Sequence, residues 1–234
     1  MQAVILAGGL ATRLRPLTEQ IPKCMINIQG KPFLRYQLEL LKQNGINRII
    51  LCLGYLSEQI ERYFKNGEQL GLQLTYSLEE KGLLGTGGAL RKALPFLDEE
   101  FLVLYGDSYL DFPYSEMLQH FYEIRPAALM LVYRNQNRWD KSNVVLENGY
   151  VRIYDKSRTY PGMVYIDAGL SVLTRKVVQE ISETQLYDLA ELYHSLADQK
   201  RLPAFEIKSR FYEVGSPAGL KDFAAHMEKG GLLL

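Results

Sequence analysis

The sequence is poor in the residues that build disulfide or zinc scaffolds. Its 234 residues include two cysteines, Cys24 and Cys52, which form no Cys-x-x-Cys pair, and three widely spaced histidines. A structural zinc site and a disulfide framework are therefore not indicated. No apolar run reaches membrane-spanning length, and no basic region followed by a long apolar run opens the chain. We therefore expect a cytoplasmic protein with free thiols.

An excess of charge of one sign is also missing. Lys and Arg together number 27, as do Asp and Glu, so the formal net charge is zero. Without a global basic field, the chain is not expected to bind nucleic acid or an anionic membrane surface. Any phosphate-binding site must therefore be assembled from a local set of residues.

Strand-like and helix-like segments alternate along the chain. Short apolar runs at 3–7, 48–53 and 101–105 predict buried strands, and helical spacing of apolar residues predicts a helix over 33–43. Such alternation predicts one α/β domain with a Rossmann-like, open and mostly parallel sheet flanked by helices. Asn148-Gly149 predicts a later hairpin and hence a smaller antiparallel annex, and Ser216-Pro217 predicts the start of a closing helix.

The strongest chemical signal follows the first predicted strand, where residues 6–15 read LAGGLATRLR. Gly8 and Gly9 allow the backbone to approach a phosphate closely, and the arginine side chains suit phosphate oxygens. The glycine pair alone is equally compatible with a tight turn. The Walker pattern GxxxxGK[ST] is absent, and no GxGxxG follows the strand.

This segment resembles the signature of the sugar nucleotidyltransferase family, which runs L-A-G-G-x-G-T-R-L and then P-K-P. The resemblance continues in order over residues 21–25, 30–32, 85–89, 105–107, 154–156, 167–169 and 211–217. Chain length and the segments Gly-Thr-Gly-Gly and Gly-Ser-Pro most resemble the heptose-1-phosphate guanylyltransferase branch. The resemblance implies a single domain over 1–234, in which roughly 1–125 bind the nucleotide and 126–234 supply the sugar-binding part and closing helix.

The implied reaction joins two anions. A sugar 1-phosphate oxygen attacks the α-phosphorus of a nucleoside triphosphate, and pyrophosphate leaves. Cations and positioned N–H donors stabilise such a transition state without a covalent nucleophile. By the resemblance, Arg13 and Lys23 are the catalytic cations, with Arg13 on the triphosphate and Lys23 near the attacked phosphate.

The resemblance also assigns binding residues. The nucleotide is expected at Leu6, Ala7, Gly8, Gly9, Thr12, Arg13, Glu80, Gly85 and Thr86, with Thr86 also a candidate N-cap of the next helix. The sugar phosphate is expected at Asn143, Asp155, Lys156, Asp167 and Gly169, each of which alone is as typical of a turn or surface position. Asp107 follows an apolar strand and is expected to bind Mg²⁺, together with Glu213.

Four positions depart from the family pattern. Ala11 stands where the loop has Gly, Cys24 replaces the second Pro of P-K-P, Tyr105 replaces Asn, and Glu213 replaces Asp. The departure at Ala11 is expected to stiffen the loop or change its dihedral angles, and none of the four removes a charge that the reaction needs.

The substrates stay open at this point. GTP with a manno-type heptose or mannose 1-phosphate fits the branch, because a carboxylate such as Glu80 can accept from the two donors of guanine. The alternatives are uridylyl or cytidylyl transfer to another sugar 1-phosphate or to phosphocholine. A catalytically silent binding subunit is disfavoured, because Arg13, Lys23 and Asp107 are retained. A homo-oligomer is compatible with the sequence.

Overall fold

The computed structural model describes residues 1–79, 82–182 and 186–230. The strands are β1 (Gln2–Leu6), β2 (Asn27–Ile28), β3 (Lys31–Pro32), β4 (Arg48–Leu53), β5 (Gln73–Leu78), β6 (Glu100–Tyr105), β7 (Ser108–Tyr109), β8 (Ala128–Arg134), β9 (Val144–Glu147), β10 (Tyr150–Tyr154), β11 (Tyr165–Thr174), β12 (Ala204–Ile207) and β13 (Tyr212–Glu213). The α-helices are α1 (Phe33–Gln43), α2 (Ser57–Phe64), α3 (Gly85–Lys92), α4 (Tyr114–Ile124), α5 (Arg175–Val178), α6 (Leu189–Asp198) and α7 (Pro217–Glu228).

One large sheet organises the domain. Its strands run in the order β10-β9-β11-β6-β1-β4-β5, with β8 paired to β11 and β12 to β8. Strands β6, β1, β4 and β5 are mutually parallel, and β11 lies antiparallel to β6. The predicted α/β fold is confirmed. The antiparallel strands continue the same sheet, because β11 pairs with β6 as well as with β8 and β9.

Helices cover both faces of the sheet, as predicted. Side chains of β1 alternate between the faces, so Ala3 and Ile5 pack with α1 and α7, while Val4 and Leu6 pack with α3 and α6. The helical spacing of the apolar residues in α1 buries its core face against the sheet. Within the described residues, no helix is both long and apolar enough to cross a membrane.

Helix α7 closes one face of the domain. The Ser216 side chain accepts a hydrogen bond from the Gly219 N–H (3.1 Å), and Pro217 occupies the first helical position, as predicted. Phe223 is fully buried and packs edge-on against Phe33, with ring centroids 5.1 Å apart. This packing holds the preceding strand β13 in place, and β13 pairs with β7 so that Glu213 lies opposite Ser108.

Strand β11 carries an irregularity that shapes the site. Its register against β8 shifts between Asp167 and Ser171, and Gly169 has a positive φ of 84°. A Cβ at Gly169 would collide with the Ser108 side chain, so this position requires glycine on two grounds. The bulge turns Asp167 and Gly169 towards the carboxyl end of β6.

Candidate active site

Two adjoining cavities open at the carboxyl ends of the parallel strands. The first cavity, of about 300 Å³, lies over the segment after β1 and the start of α3. The second cavity, of about 350 Å³, lies over the bulge of β11 and is lined by residues from the second half of the chain as well as by Arg13 and Asp107. Thr86, Tyr105 and Asp107 line both cavities. A ligand in one cavity therefore meets a ligand in the other at Asp107.

Glycines build the floor of the first cavity. Leu6, Ala7, Gly8 and Gly9 all line it, as do Gly85 and Thr86. A Cβ at Gly8 would collide with Oε1 of Glu79, whereas a Cβ at Gly9 would meet no protein atom within 4 Å. A side chain at Gly8 would therefore displace the Glu79 carboxylate, whereas at Gly9 the protein leaves open space on the cavity side.

In the loop after the glycines, Ala11 has a left-handed backbone conformation, although it is not a glycine. Ala11 has φ 48° and ψ 45°, a conformation that costs an alanine roughly 1–2 kcal/mol. The Ala11 carbonyl accepts hydrogen bonds from the Thr18 hydroxyl (2.8 Å) and the Leu14 N–H (3.1 Å), which hold it in place. Thr12 begins the short helical turn that follows and lines neither cavity.

An ion pair joins the predicted catalytic lysine to the predicted metal carboxylate. Nζ of Lys23 lies 2.5 Å from Oδ2 of Asp107, and the two side chains are 16% and 25% exposed. Cys24 is buried behind Lys23, and burial raises the pKa of its thiol to about 12. The cysteine is therefore a neutral packing residue, and the cation beside it remains accessible from the first cavity.

A buried glutamine that sequence reasoning missed holds the turn that carries Asp107. Nε2 of Gln37 donates to the carbonyls of Tyr105 (2.9 Å) and Ser108 (2.7 Å), on either side of Gly106-Asp107. The Val214 N–H donates to the Asp107 carbonyl (2.8 Å). Gln37 lies on the apolar face of α1 and is 1% exposed. A polar residue on a core face was the signal that could have indicated it.

Glu213 lines the second cavity near Asp107 and carries a further charge there. Oε1 of Glu213 lies 3.4 Å from Nη2 of Arg13. Burial and, after it, the negative charge of Asp107 raise the pKa of Glu213, while Lys23 and Arg13 oppose the rise. Both carboxylates are thus close enough to interact, and the cations on either side partly neutralise them.

Hydrogen bonds between the lining residues and their neighbours hold the side chains of the second cavity in place. Oδ1 of Asn143 accepts from the Asp167 N–H (2.9 Å), and the Asp167 carboxylate accepts from the Tyr154 hydroxyl (3.0 Å) and the Gly169 N–H (2.9 Å). Burial raises the pKa of Asp167, and the nearby Lys156 opposes that rise. Asn143, Lys156, Asp167 and Gly169 all line this cavity.

Asp155 is not brought into the second cavity. Its Oδ1 accepts hydrogen bonds from the Ser157 N–H, the Ser157 hydroxyl and the Arg158 N–H, at 2.7–2.8 Å. These donors lower the pKa of Asp155 to about 2. Its carboxylate therefore supports the turn after β10, next to Lys156.

Tyr105, which replaces the family asparagine, supports Lys156. Nζ of Lys156 lies 3.3 Å from the Tyr105 hydroxyl and 4.6 Å from the centroid of its ring. Tyr105 forms part of the wall of both cavities. Tyr105 thus gives Lys156 both an aromatic ring and a hydroxyl group as partners, where asparagine would offer only an amide.

The start of α3 departs from the sequence-based prediction. Thr86 is not an N-cap, because α3 begins at Gly85; its hydroxyl donates to Oδ1 of Asp188 (2.9 Å) and accepts from the Leu189 N–H (2.8 Å). Glu80 lies outside the described residues. The neighbouring Glu79 lines the first cavity instead. Besides Gln37, sequence reasoning missed Asp140, Lys141, Leu186 and Asp188, which line the cavities.

Comparison with known proteins places these features in a family. Residues 2–217 match the sequence profile of the nucleotidyl transferase family. The chain is 31% identical to D-glycero-alpha-D-manno-heptose 1-phosphate guanylyltransferase of Campylobacter jejuni over 93% of this chain and 96% of that protein. It is 33% identical to the mannose-1-phosphate guanylyltransferase catalytic subunit beta of Xenopus tropicalis, over 97% of this chain but only 64% of that protein.

Solved structures agree. HddC from Yersinia pseudotuberculosis, in complex with GMP-PN, superimposes with a TM-score of 0.78 at 27% identity and covers 97% of this chain and 99% of that one. A UDP-glucose pyrophosphorylase in complex with UDP-glucose has the same fold, with a TM-score of 0.81 at 22% identity over 98% of each chain. With a profile match over most of its length, and with its motifs gathered at two adjoining cavities, this chain belongs to the nucleotidyl transferase family.

Proposed function

We propose that this protein transfers a nucleotidyl group from a nucleoside triphosphate to a sugar 1-phosphate and releases pyrophosphate. The nucleotide occupies the first cavity and the sugar phosphate the second. The observation that carries this proposal is the Lys23–Asp107 pair at the border of two cavities, one with a glycine floor and one lined by polar side chains.

The chemistry follows from this placement. An oxygen of the sugar phosphate forms a bond to the α-phosphorus, and the bond from the α-phosphorus to the bridging oxygen of pyrophosphate breaks. Lys23 stabilises the negative charge on the α-phosphate. Arg13 lines the second cavity, and its side chain, which is 65% exposed, extends from there to the leaving pyrophosphate. Lys156, which contacts the Tyr105 ring, binds the phosphate of the sugar in the second cavity. No proton transfer and no covalent enzyme intermediate are needed.

The carboxylates at the border fit a hard divalent cation. Asp107 and Glu213 offer oxygen ligands on the paired segments at β7 and β13, and a cation between them would relieve the repulsion that contributes to the raised pKa of Glu213. Phosphate oxygens of the substrates would supply further ligands to such an ion. Bound Mg²⁺ would neutralise charge on the phosphates.

For the substrates, we propose GTP and a manno-type heptose or mannose 1-phosphate. Support comes from the guanylyltransferases among the relatives. A carboxylate that can accept from the N1–H and amino group of guanine is Glu79, whose Oε2 already accepts from the Leu84 N–H (2.6 Å). A uridylyltransferase of Synechocystis is also 32% identical to this chain, so UTP with glucose 1-phosphate is the competing pair. A cytoplasmic location and a homo-oligomer stay predictions.

The deciding experiment is a pyrophosphate-release assay. Each of the four common ribonucleoside triphosphates and dTTP is combined with mannose 1-phosphate, a manno-heptose 1-phosphate, glucose 1-phosphate or phosphocholine. We expect release of pyrophosphate that requires both substrates and is fastest with GTP and a manno sugar. Preference for UTP with glucose 1-phosphate would reject the substrates and retain the reaction, whereas no release with any pair would reject the reaction.

A further inference from the structure

The segment 186–188 lies between the two cavities. Leu186 lines the first cavity and Asp188 lines the second, with Tyr187 between them in the chain. The side chains of Leu186 and Asp188, two residues apart, thus line the two cavities where the two substrates are proposed to bind. This segment belongs to the second half of the sequence, although Leu186 lines the cavity that the first half mainly forms.

Backbone hydrogen bonds fix this segment on α3. The Tyr187 N–H donates to the Leu84 carbonyl (2.9 Å), and its carbonyl accepts from the N–H groups of Gly87 (2.9 Å) and Gly88 (3.1 Å). These amides in the first turn of α3 are therefore already satisfied and are not available to a phosphate. A Cβ at Gly85 would lie 2.5 Å from the Tyr187 carbonyl oxygen. The glycines of the Gly-Thr-Gly-Gly motif thus make room for segment 186–188.

The Leu186 side chain is apolar and 70% exposed, and Leu83, which also lines the first cavity, is 44% exposed. Large apolar side chains exposed at the rim of a cavity gain stability when a flat apolar surface covers them. The faces of a nucleobase offer such a surface, and the triphosphate does not.

Asp188 offers a different chemistry to the second cavity. Its Oδ1 accepts from the Thr86 hydroxyl (2.9 Å) and from the Ala190 N–H (2.9 Å) at the start of α6. In the capping box of α6 the carboxylate also accepts from the backbone N–H of Glu191, and the side chain is exposed in the second cavity. A carboxylate has about four acceptor positions, so these three donors leave one open. A carboxylate oxygen with free lone pairs is an acceptor for a sugar hydroxyl.

We propose that segment 186–188 contacts both substrates at once: Leu186 packs on the base of the nucleotide, and Asp188 accepts a hydrogen bond from a hydroxyl of the sugar. The hydrogen bonds of Tyr187 to α3 fix the spacing of the two contacts. This inference rests on the proposed nucleotidyl transfer and assigns binding residues that the sequence motifs did not indicate.

Equilibrium binding tests the first contact. Dissociation constants are measured for GTP and for tripolyphosphate, which has the phosphates without the base. Leu186→Ala is expected to weaken GTP about tenfold and to leave tripolyphosphate unchanged. Ile124→Ala removes an exposed apolar side chain that lines neither cavity, and it should change neither constant. Unchanged GTP binding in Leu186→Ala would overturn this contact.

Kinetics test the second contact. Asn in place of Asp188 keeps an oxygen that can accept from Thr86 and Ala190, but it replaces the other acceptor with a donor. We expect Asp188→Asn to raise the KM for the sugar 1-phosphate about tenfold with the GTP dissociation constant unchanged. A lower melting temperature with an unchanged KM would show that Asp188 only caps α6, and this contact would be overturned.

A third variant tests the link between the contacts. Thr86→Val removes both hydrogen bonds of the threonine hydroxyl and should weaken both substrates, and Thr86→Ser should restore both. Weakening of GTP alone would overturn the link. If the wild-type protein turns over substrates while all these variants behave like it, segment 186–188 is rejected and the transferase stands. A wild-type protein that binds no nucleotide would reject both.

Discussion

The two cavities are built by different means. The first cavity is formed largely by backbone and small side chains from Leu6–Gly9 and from the start of α3, with Lys23 as its cation. The second cavity is formed by polar and charged side chains from separate loops and from β11, held by hydrogen bonds such as Asn143 to Asp167. The first arrangement suits a chemical group that is the same in every substrate of its class, such as the triphosphate of a nucleotide. The second suits a sugar whose hydroxyls must be distinguished one by one.

The largest expected effect is at the border that both cavities share. Lys23→Ala removes the cation nearest the attacked phosphate, and we expect kcat/KM to fall about a thousandfold. Lys221→Ala, at an exposed position on α7, is the control and should leave kcat/KM unchanged. Steady-state kinetics with circular dichroism provide the measurement. A folded Lys23→Ala variant with near-normal turnover would remove Lys23 from the reaction.

This difference in construction explains how much the sequence predicted. Residues 6–9 are adjacent in the chain at the end of β1, so one local motif indicated a set of residues that the structure places together along the first cavity. That they bind the nucleotide stays a prediction. Asp155 and Asp188 belong to the second half, where placement depends on contacts between distant segments. Asp155 was expected at the sugar phosphate and instead supports a turn, while Asp188 was missed because only the packing of segment 186–188 on α3 brings it to the cavity.

The fold follows the same rule. Period and turn residues predicted α1 with its observed bounds, Phe33–Gln43, and the closing helix with its Ser216 cap. The position of β11 between β6 and β9 could not be predicted from the sequence, because strand order depends on long-range pairing. Gln37 was missed for a related reason: its partners, Tyr105 and Ser108, lie about 70 residues away.

The second-largest effect separates the two carboxylates at the border. Asp107→Asn should lower kcat/KM about a hundredfold and raise the Mg²⁺ concentration needed for half-maximal rate, because a neutral amide binds Mg²⁺ poorly. Glu213→Gln should cost about tenfold, since Arg13 and Asp107 retain their charges. Calorimetric binding of Mn²⁺ supplies a readout that does not depend on turnover. Activity that survives EDTA would contradict the metal assignment for both residues.

The third effect tests whether the first cavity is built by its backbone. Gly8→Ala introduces a Cβ that collides with Glu79, so we expect the free energy of unfolding to fall by about 1–3 kcal/mol. Gly9→Ala meets no protein atom within 4 Å and should leave stability unchanged. Its methyl group faces the open cavity, however, and should raise the KM for the nucleotide about tenfold by displacing phosphate contacts.

Thermal melts and nucleotide kinetics on the same two variants decide the matter. Equal stability of Gly8→Ala and Gly9→Ala would show that Glu79 moves aside freely. An unchanged nucleotide KM in Gly9→Ala would show that the phosphates do not approach Gly9, and the nucleotide would have to lie elsewhere in the first cavity.

The smallest effect concerns Asp155, which lies in the second half of the chain but outside the second cavity. Because its carboxylate accepts three hydrogen bonds within its own turn, Asp155→Ala should lower stability slightly and leave the KM for the sugar 1-phosphate within about twofold of the wild type.

The pKa of the Asp155 carboxyl is lowered to about 2 in the folded protein, against about 3.9 in an unfolded chain. Its stabilising effect is therefore fully present above the unfolded value and is lost as the pH falls through the folded value. Urea denaturation of wild type and variant should show a constant difference from neutral pH down to about pH 5, and a difference that shrinks from there towards about pH 1. A large rise in the sugar KM would instead return Asp155 to the substrate, and the second cavity would have to extend to the turn after β10.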